Sequence, residues 1–223
     1  MKREQTTAQL RRLCRRAVSR VTSASGAAVS LMSTSGPSGI VAASDDRTLQ
    51  IADLQFSLGE GPCWDVFDQN HVVLVDDLGS GSGDRWVAWT AAASNHGVRA
   101  VLAFPLQVGP TQLGVLDIYR AAAGVLGAEV LAEALALADN ATQILLDGQE
   151  RAGEGATPTG IDAALEAGLA IYQAQGMVMI QLGVPLADAM SRLRAYAYAK
   201  DRSLSEVARD IVARTLTLER DDR

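Results

Sequence analysis

A polar segment near the middle of the chain divides it into two parts. The stretch DGQERAGEGATPTG, at 147–160, replaces apolar periodicity with Gly, Pro, Thr and charged residues, a composition typical of linkers. The chain has 223 residues, of which 48% are hydrophobic, so both parts have enough apolar material for a core. We predict a first domain over 1–147, a linker over 148–160 and a second domain over 161–223.

The first part alternates strand-like and helical segments. AAVSLMS and GIVAASD are separated only by the turn-rich TSGPSG, so these two strands must pair antiparallel. HVVLVDDL predicts a third strand, and VRAVLAFPLQV and TQLGVLDIYR predict two more around a turn at Gly109 and Pro110. This order favours an α+β domain, an antiparallel sheet flanked by helices. The helices are expected near 5–24, 47–56, 60–69, 84–96 and 127–147.

The second part carries the apolar periodicity of three helices. The first has two apolar stripes and contains Gly176, which should cost roughly 1 kcal/mol relative to alanine, so we expect close helix packing there. The second, GVPLADAMSRLRAYAYAK, has Pro185 in its first turn, where proline is tolerated. The third opens with Ser203 and Glu206 in the spacing of a capping box. An all-α domain follows.

Charge and cysteine content narrow the possible functions. Residues 1–20 carry seven basic and one acidic residue, whereas 21–150 carry four and fifteen. No whole domain is basic, so binding to nucleic acid must depend on a local face or on charge from two subunits. Cys14 and Cys63 are far apart, as expected of buried thiols in a reducing compartment. Neither a signal peptide nor a stretch of bilayer length is evident, which predicts a cytoplasmic protein without a membrane partner.

The motifs of the first part resemble a known family. LGEGP opening a helix, a strand ending in Asp-Leu, and the hairpin FPLQVGPTQLGVLDIYR are together similar to the GAF domain of actinobacterial regulators, over roughly 5–147. Domains of this class often hold a small ligand between sheet and helices, and such a pocket could be lined here by Trp64, Asp65, Asp76, Trp86 and Trp89. The alternative is that the tryptophans are core residues and the aspartates belong to turns or caps. The ligand itself cannot be named from the sequence.

The second part resembles the ANTAR domain, a three-helix RNA-binding module of antitermination regulators. The resemblance covers about 160–217 and rests on QAQG, on LR at 193–194 and on the R-x-L-x-x-VA pattern that begins at Arg202. Gln175 stands where the family usually carries lysine. RNA binding requires cations for phosphates and planar groups for unstacked bases. The resemblance therefore implies RNA contacts at Gln175, Arg194 and Arg202. Tyr198, one turn after Arg194, and Lys200, at the end of the same helix, are candidates by position. The alternative is that the arginines are solvated surface and the tyrosines half-buried packing.

These resemblances predict a sensor–effector without catalysis. The expected function is signal-responsive antitermination, in which the protein binds RNA hairpins in mRNA leaders. The alternative is a GAF-based protein–protein or DNA-binding regulator that has lost RNA binding, since Gln175 removes one charge. An enzyme such as a thiol-dependent sulfoxide reductase would need cysteines brought together. His71 and His96 lack metal-ligand spacing, and GSGSGD at 79–84 lacks the Lys-Ser/Thr of a P-loop.

Amphipathic helices at both ends of the first domain predict a homodimer. Helix 5–24 carries Leu10, Leu13, Ala17 and Val21 on one stripe. Helix 127–147 carries a second stripe that includes Leu135, and Leu165, Leu169 and Tyr172 could extend the seam beyond the linker. A dimer would present two RNA-binding faces. The alternative is that the stripes cover the chain's own sheet.

Overall fold

The computed structural model describes residues 4–33, 39–81, 84–152 and 161–218. Helix α5 continues five residues beyond the predicted end of the first domain, and the rest of the predicted linker, 153–160, lies outside the described residues. The helices are α1 (Glu4–Arg20), α2 (Asp46–Leu58), α3 (Pro62–Gln69), α4 (Val87–Asn95), α5 (Ala128–Ala152), α6 (Ile161–Leu182), α7 (Leu186–Ala199) and α8 (Leu204–Val212). The strands are β1 (Ala24–Leu31), β2 (Gly39–Ala43), β3 (Val73–Val75), β4 (Ala100–Val108) and β5 (Thr111–Arg120).

The five strands form one antiparallel sheet in the order β2-β1-β5-β4-β3. Both predicted strand pairs are confirmed, since β1 pairs with β2 and β4 pairs with β5. The turn between β4 and β5 contains Gly109 at φ +55°, a left-handed conformation that glycine adopts without steric cost. The predicted α+β architecture is therefore correct.

Alternation along the strands separates two hydrophobic cores. On β5, Leu116 and Ile118 pack with α1 and α5 on one face of the sheet, whereas Val115 and Tyr119 point to the other face, under α2, α3 and α4. Period-two alternation of a strand that is covered on both faces produces this division. Cys14 and Cys63 are buried free thiols, one in each core, as predicted.

The apolar stripe of α1 is part of the first core. Leu10, Ala17 and Val21 are buried there, and Leu13 is only 5% exposed. The predicted use of this stripe in a dimer seam is therefore wrong, because the chain's own sheet and α5 already cover it. On α5, by contrast, Leu135 remains 43% exposed. Leu169 and Tyr172 on α6 are about half exposed, and the side chain of Leu165 lies outside the described residues.

Helices α6, α7 and α8 enclose a third core, which confirms the predicted helical second part. Small residues bring the helices together, with Ala174, Ala189 and Ala197 fully buried. Gly176 has a different role from the predicted one, because an added Cβ would meet no neighbouring atom within 4 Å. The expected capping box at Ser203 and Glu206 is present.

The two parts of the chain lie against each other. Helix α6 packs on β2, and α2 contacts both α7 and α8. Between α2 and α8, the amide of Leu204 donates a hydrogen bond to the hydroxyl of Ser57, with an N–O distance of 3.3 Å. The C-terminal bundle therefore lies against α2 and the edge strand β2 of the sheet domain.

Within the described residues, length and apolar content do not allow any single helix to cross a bilayer. Residues 166–182 and α7 pass such a test only as a pair, and they are bent by 107°.

Candidate nucleic-acid interface

The connection between α7 and α8 forms an exposed corner. Helix α7 ends at Ala199, and Asp201 takes a left-handed conformation with φ +51° that redirects the chain. The amide of Arg202 donates to the carbonyl of Ala197 over 3.0 Å, which returns the chain toward α7, and the capping box then starts α8. This geometry brings the end of α7 and the start of α8 to one surface.

Three of the residues predicted to contact RNA belong to this corner. Tyr198 is 70% exposed, which is unusual for a large aromatic side chain with no evident packing role. Lys200 is exposed, with Nζ 6.0 Å from the ring centroid of Tyr196. Arg202 is partly exposed and pairs with Asp210, with Nη2 and Oδ2 2.6 Å apart. The corner thus combines a planar ring with two cations.

Arg194 lies one helical turn before Tyr198 but is held against the sheet domain. Its guanidinium packs on Gly59, where any added Cβ would collide with it. Gly59 ends α2 at φ +71°, so the cation occupies the negative end of that helix. Burial lowers the pKa of Arg194 from its ordinary value, and its Nε is buried without a hydrogen-bond partner among the described residues.

Gln175 is placed away from the exposed corner. Its side chain is only 8% exposed, and Nε2 donates to the carbonyl of Leu186 over 2.9 Å. Gln175 therefore ties α6 to the start of α7. In this arrangement its amide is not available to a phosphate.

The five residues predicted to line a GAF ligand pocket do not surround one cavity. Trp86 and Trp89 are core residues with ring centroids 5.7 Å apart. Asp65 accepts a hydrogen bond from the Trp86 indole over 3.1 Å and also pairs with Arg85, which makes it a structural anchor. Asp76 is exposed, and its carbonyl accepts from the amide of Gly124.

Trp64 is the exception, because it is half-buried at the outer surface of the sheet domain. Its indole donates to the carbonyl of Gln55 over 2.8 Å. Its ring meets Phe56 edge-on, with centroids 5.9 Å apart. Trp64 packs at the edge of the second core and also faces the C-terminal bundle.

A buried polar cluster occupies the place where the ligand pocket was expected. Asp117 on β5 is completely buried, and its Oδ2 accepts from Nε2 of Gln55 over 2.8 Å. The same Nε2 reaches the Tyr119 hydroxyl at 3.1 Å, and Oε1 of Gln55 accepts from the amide of Cys63 at 2.8 Å. Oδ1 of Asp117 and the Trp89 indole nitrogen are buried without partners among the described residues.

Burial controls the chemistry of this cluster. It raises the pKa of Asp117 from 3.8 to about 7, opposed by the hydrogen bonds from Gln55 and Tyr119. Burial also raises the pKa of the Cys63 thiol well above its ordinary value, and the charge of Asp117 adds to that rise. A thiol held neutral is a poor nucleophile. The sequence analysis missed this cluster. Asp117 could have been found, because side chains alternate along a strand and Asp117 therefore lies on the same buried face of β5 as Val115 and Tyr119.

Among the described residues no group of three or more His, Cys, Asp and Glu side chains is arranged to hold a metal ion.

Comparisons with known proteins agree with both halves of the chain. The GAF domain model matches residues 5–146, and the ANTAR domain model matches residues 160–212. A search of curated proteins returned no match.

Solved structures support the first assignment at the level of fold. The chain resembles a GAF domain region from Geobacter sulfurreducens at 14% identity, over 63% of this chain and 93% of the other, with a TM-score of 0.51. It also resembles a domain of a two-component sensor histidine kinase protein from Sinorhizobium meliloti at 14% identity, over 65% and 93% of the two chains, with a TM-score of 0.52. The chain belongs to the GAF domain family, and it carries an ANTAR domain after its GAF domain.

Proposed function

We propose that this protein is a signal-responsive antitermination regulator that binds RNA hairpins through the α7–α8 corner. The observation that carries the proposal is the exposed ring of Tyr198 at the end of α7, followed within four residues by the cations Lys200 and Arg202, within the region that matches the ANTAR domain. An exposed ring can stack on an unpaired base, and the neighbouring cations can contact the phosphates on either side of it. Holding such a hairpin would prevent the competing terminator stem from forming. No catalytic step is required.

Arg194 supplies the link to a signal. Its guanidinium is one turn from Tyr198 but rests on Gly59 of the GAF domain, so the RNA surface lacks one cation in this arrangement. Separation of the two domains would return Arg194 to the corner. We therefore assign this conformation to a resting state in which the GAF domain restrains the ANTAR domain.

Binding should be measured with the full chain, by fluorescence anisotropy on labelled two-hairpin leader RNAs and on duplex DNA. Loss of base stacking in Tyr198→Ala is expected to cost about 1–3 kcal/mol, or roughly five- to 150-fold in affinity, while Tyr198→Phe should bind as the wild type does. Lys200→Ala should flatten the salt dependence by about 0.7 in slope. Arg20→Ala, on exposed α1 surface, is the matched control.

The alternative regulator is distinguished by the same measurement. Preference for duplex DNA, or no binding to either nucleic acid, would favour a DNA-binding or protein–protein regulator. Equal RNA affinity of Tyr198→Ala and wild type would show that the corner is not the RNA surface. Gln175 acts in our proposal as a support between α6 and α7, because its amide is already bonded to Leu186.

We further propose a cytoplasmic homodimer that presents two such corners to two hairpins in one leader. With the α1 stripe buried, the exposed part of α5 around Leu135 is the remaining surface for the predicted seam at this end of the GAF domain. Linked binding of two hairpins would raise the overall affinity without new contacts.

A further inference from the structure

A cavity of about 370 Å³ lies between the two domains. The GAF domain contributes Phe56, Trp64 and Phe67, and the ANTAR domain contributes Tyr172 and Arg194. The cavity is outside the sheet–helix space where Asp117 and the core tryptophans lie. Its volume is within the range of sites that bind small molecules.

The walls of the cavity are rich in aromatic side chains. Phe, Trp and Tyr make up 4% of the chain, yet they supply four of the eleven residues that line this space. Phe56 and Trp64 meet edge-on, and the aliphatic side chains of Ile171, Met190 and Leu204 complete the wall. Such a surface fits a flat apolar body of one or two rings.

Arg194 gives the cavity a positive charge, which is partly offset by the C-terminal end of α2. Among the described residues it has no salt bridge, and because its Nε is buried, a ligand would contact the terminal nitrogens Nη1 and Nη2. A partly buried cation without a counter-ion is costly, and a carboxylate could pair with it through two parallel hydrogen bonds. Asp68, exposed at the lining, disfavours ligands with several negative charges.

We propose that this interdomain cavity binds a small aromatic monocarboxylate, with its rings against Phe56, Trp64 and Tyr172 and its carboxylate on Arg194. The bound acid touches both domains, so it stabilises their contact. It also keeps Arg194 away from RNA. The ligand site is inferred from the cavity alone, whereas the withdrawal of Arg194 from RNA rests on the proposed function.

The test uses indole-3-propionate as the probe, with its neutral amide as the matched ligand and calorimetric titration of the full chain as the measurement. The acid should bind in one-to-one stoichiometry, and the amide at least about tenfold more weakly, since hydrogen bonds to charged groups contribute about 1.5–3 kcal/mol. Arg194→Leu should lose about tenfold or more in affinity for the acid. Arg209→Leu, on the exposed face of α8, should bind as the wild type does.

Tyr172→Ala is a second variant, on the opposite wall of the cavity. It should also lower the affinity of the protein for the acid. Absence of saturable binding up to millimolar concentration, equal binding of acid and amide, or unchanged affinity in both Arg194→Leu and Tyr172→Ala would overturn the ligand site. Circular dichroism of each variant verifies its fold.

Competition with RNA separates the two claims. Saturating acid should reduce the affinity of the wild type for a leader hairpin. Binding of the acid with no effect on RNA affinity would refute the coupling and leave the site intact. Binding of the acid by a chain that binds no RNA would refute the proposed function alone.

Discussion

Replacement of Asp117 by asparagine should stabilise the protein at neutral and alkaline pH. Asp117 is completely buried, one of its oxygens has no hydrogen-bond partner among the described residues, and burial raises its pKa to about 7. The charged carboxylate is therefore disfavoured in the folded state. Asparagine has nearly the same shape, stays neutral, and can still accept the hydrogen bond from Gln55.

The magnitude follows from the difference between the folded and unfolded pKa values. A rise from 3.8 to about 7 corresponds to about 4 kcal/mol at 1.36 kcal/mol per pKa unit. Because the folded state holds the proton more tightly, this group lowers stability as pH rises from about 4 to about 7, and the loss is complete above that range. Between pH 5 and pH 8 the wild type should lose about 2.5 kcal/mol relative to Asp117→Asn.

Urea unfolding of both proteins across this pH range, followed by circular dichroism, measures the effect. Asp139→Asn changes an exposed carboxylate on α5 in the same way and should alter stability by less than about 0.5 kcal/mol. Parallel stability curves for wild type and Asp117→Asn would refute the reasoning. They would mean that the carboxylate reaches water or a cation in the folded protein.

Three further substitutions test the packing. Gln175→Lys should lower stability by about 2 kcal/mol in thermal unfolding, because the position is 8% exposed and a buried ammonium loses its hydration even when it donates to the carbonyl of Leu186; unchanged stability would mean that position 175 reaches solvent. Leu13→Asp should unfold the chain, since Leu13 is in the core, whereas Leu135→Asp should retain the fold and, in light scattering, halve the mass of a dimer. A native spectrum for Leu13→Asp, or a dimer unaffected by Leu135→Asp, would contradict these assignments.

Local patterns predicted the elements of this fold well because each rests on neighbouring residues. The alternation in TQLGVLDIYR defined β5, and the Ser203–Glu206 spacing defined the start of α8. The α1 stripe was also recognised as buried surface. Its partner was misassigned, because amphipathicity shows that a face is covered and not whether the cover is the same chain or a second copy.

The site depends on contacts between distant segments, and the sequence could not supply these. Arg194 is an ordinary cation in its own helix, and only the approach of α2 places it on Gly59. The role of Gly176 was misjudged for a related reason. Its helix has apolar residues on more than one side, so spacing alone did not reveal that the glycine faces open space.

The contact between Gly59 and Arg194 also constrains how this protein can evolve. Gly59 must adopt a left-handed conformation to end α2, and it must lack a Cβ so that the guanidinium can lie against it. The first requirement comes from the GAF domain, whose helix Gly59 ends. The second comes from the ANTAR domain, whose Arg194 needs the space. A transferred GAF domain that ended this helix with an asparagine would meet the first requirement, yet that side chain would displace Arg194. The two domains are therefore expected to be inherited together rather than exchanged as independent modules.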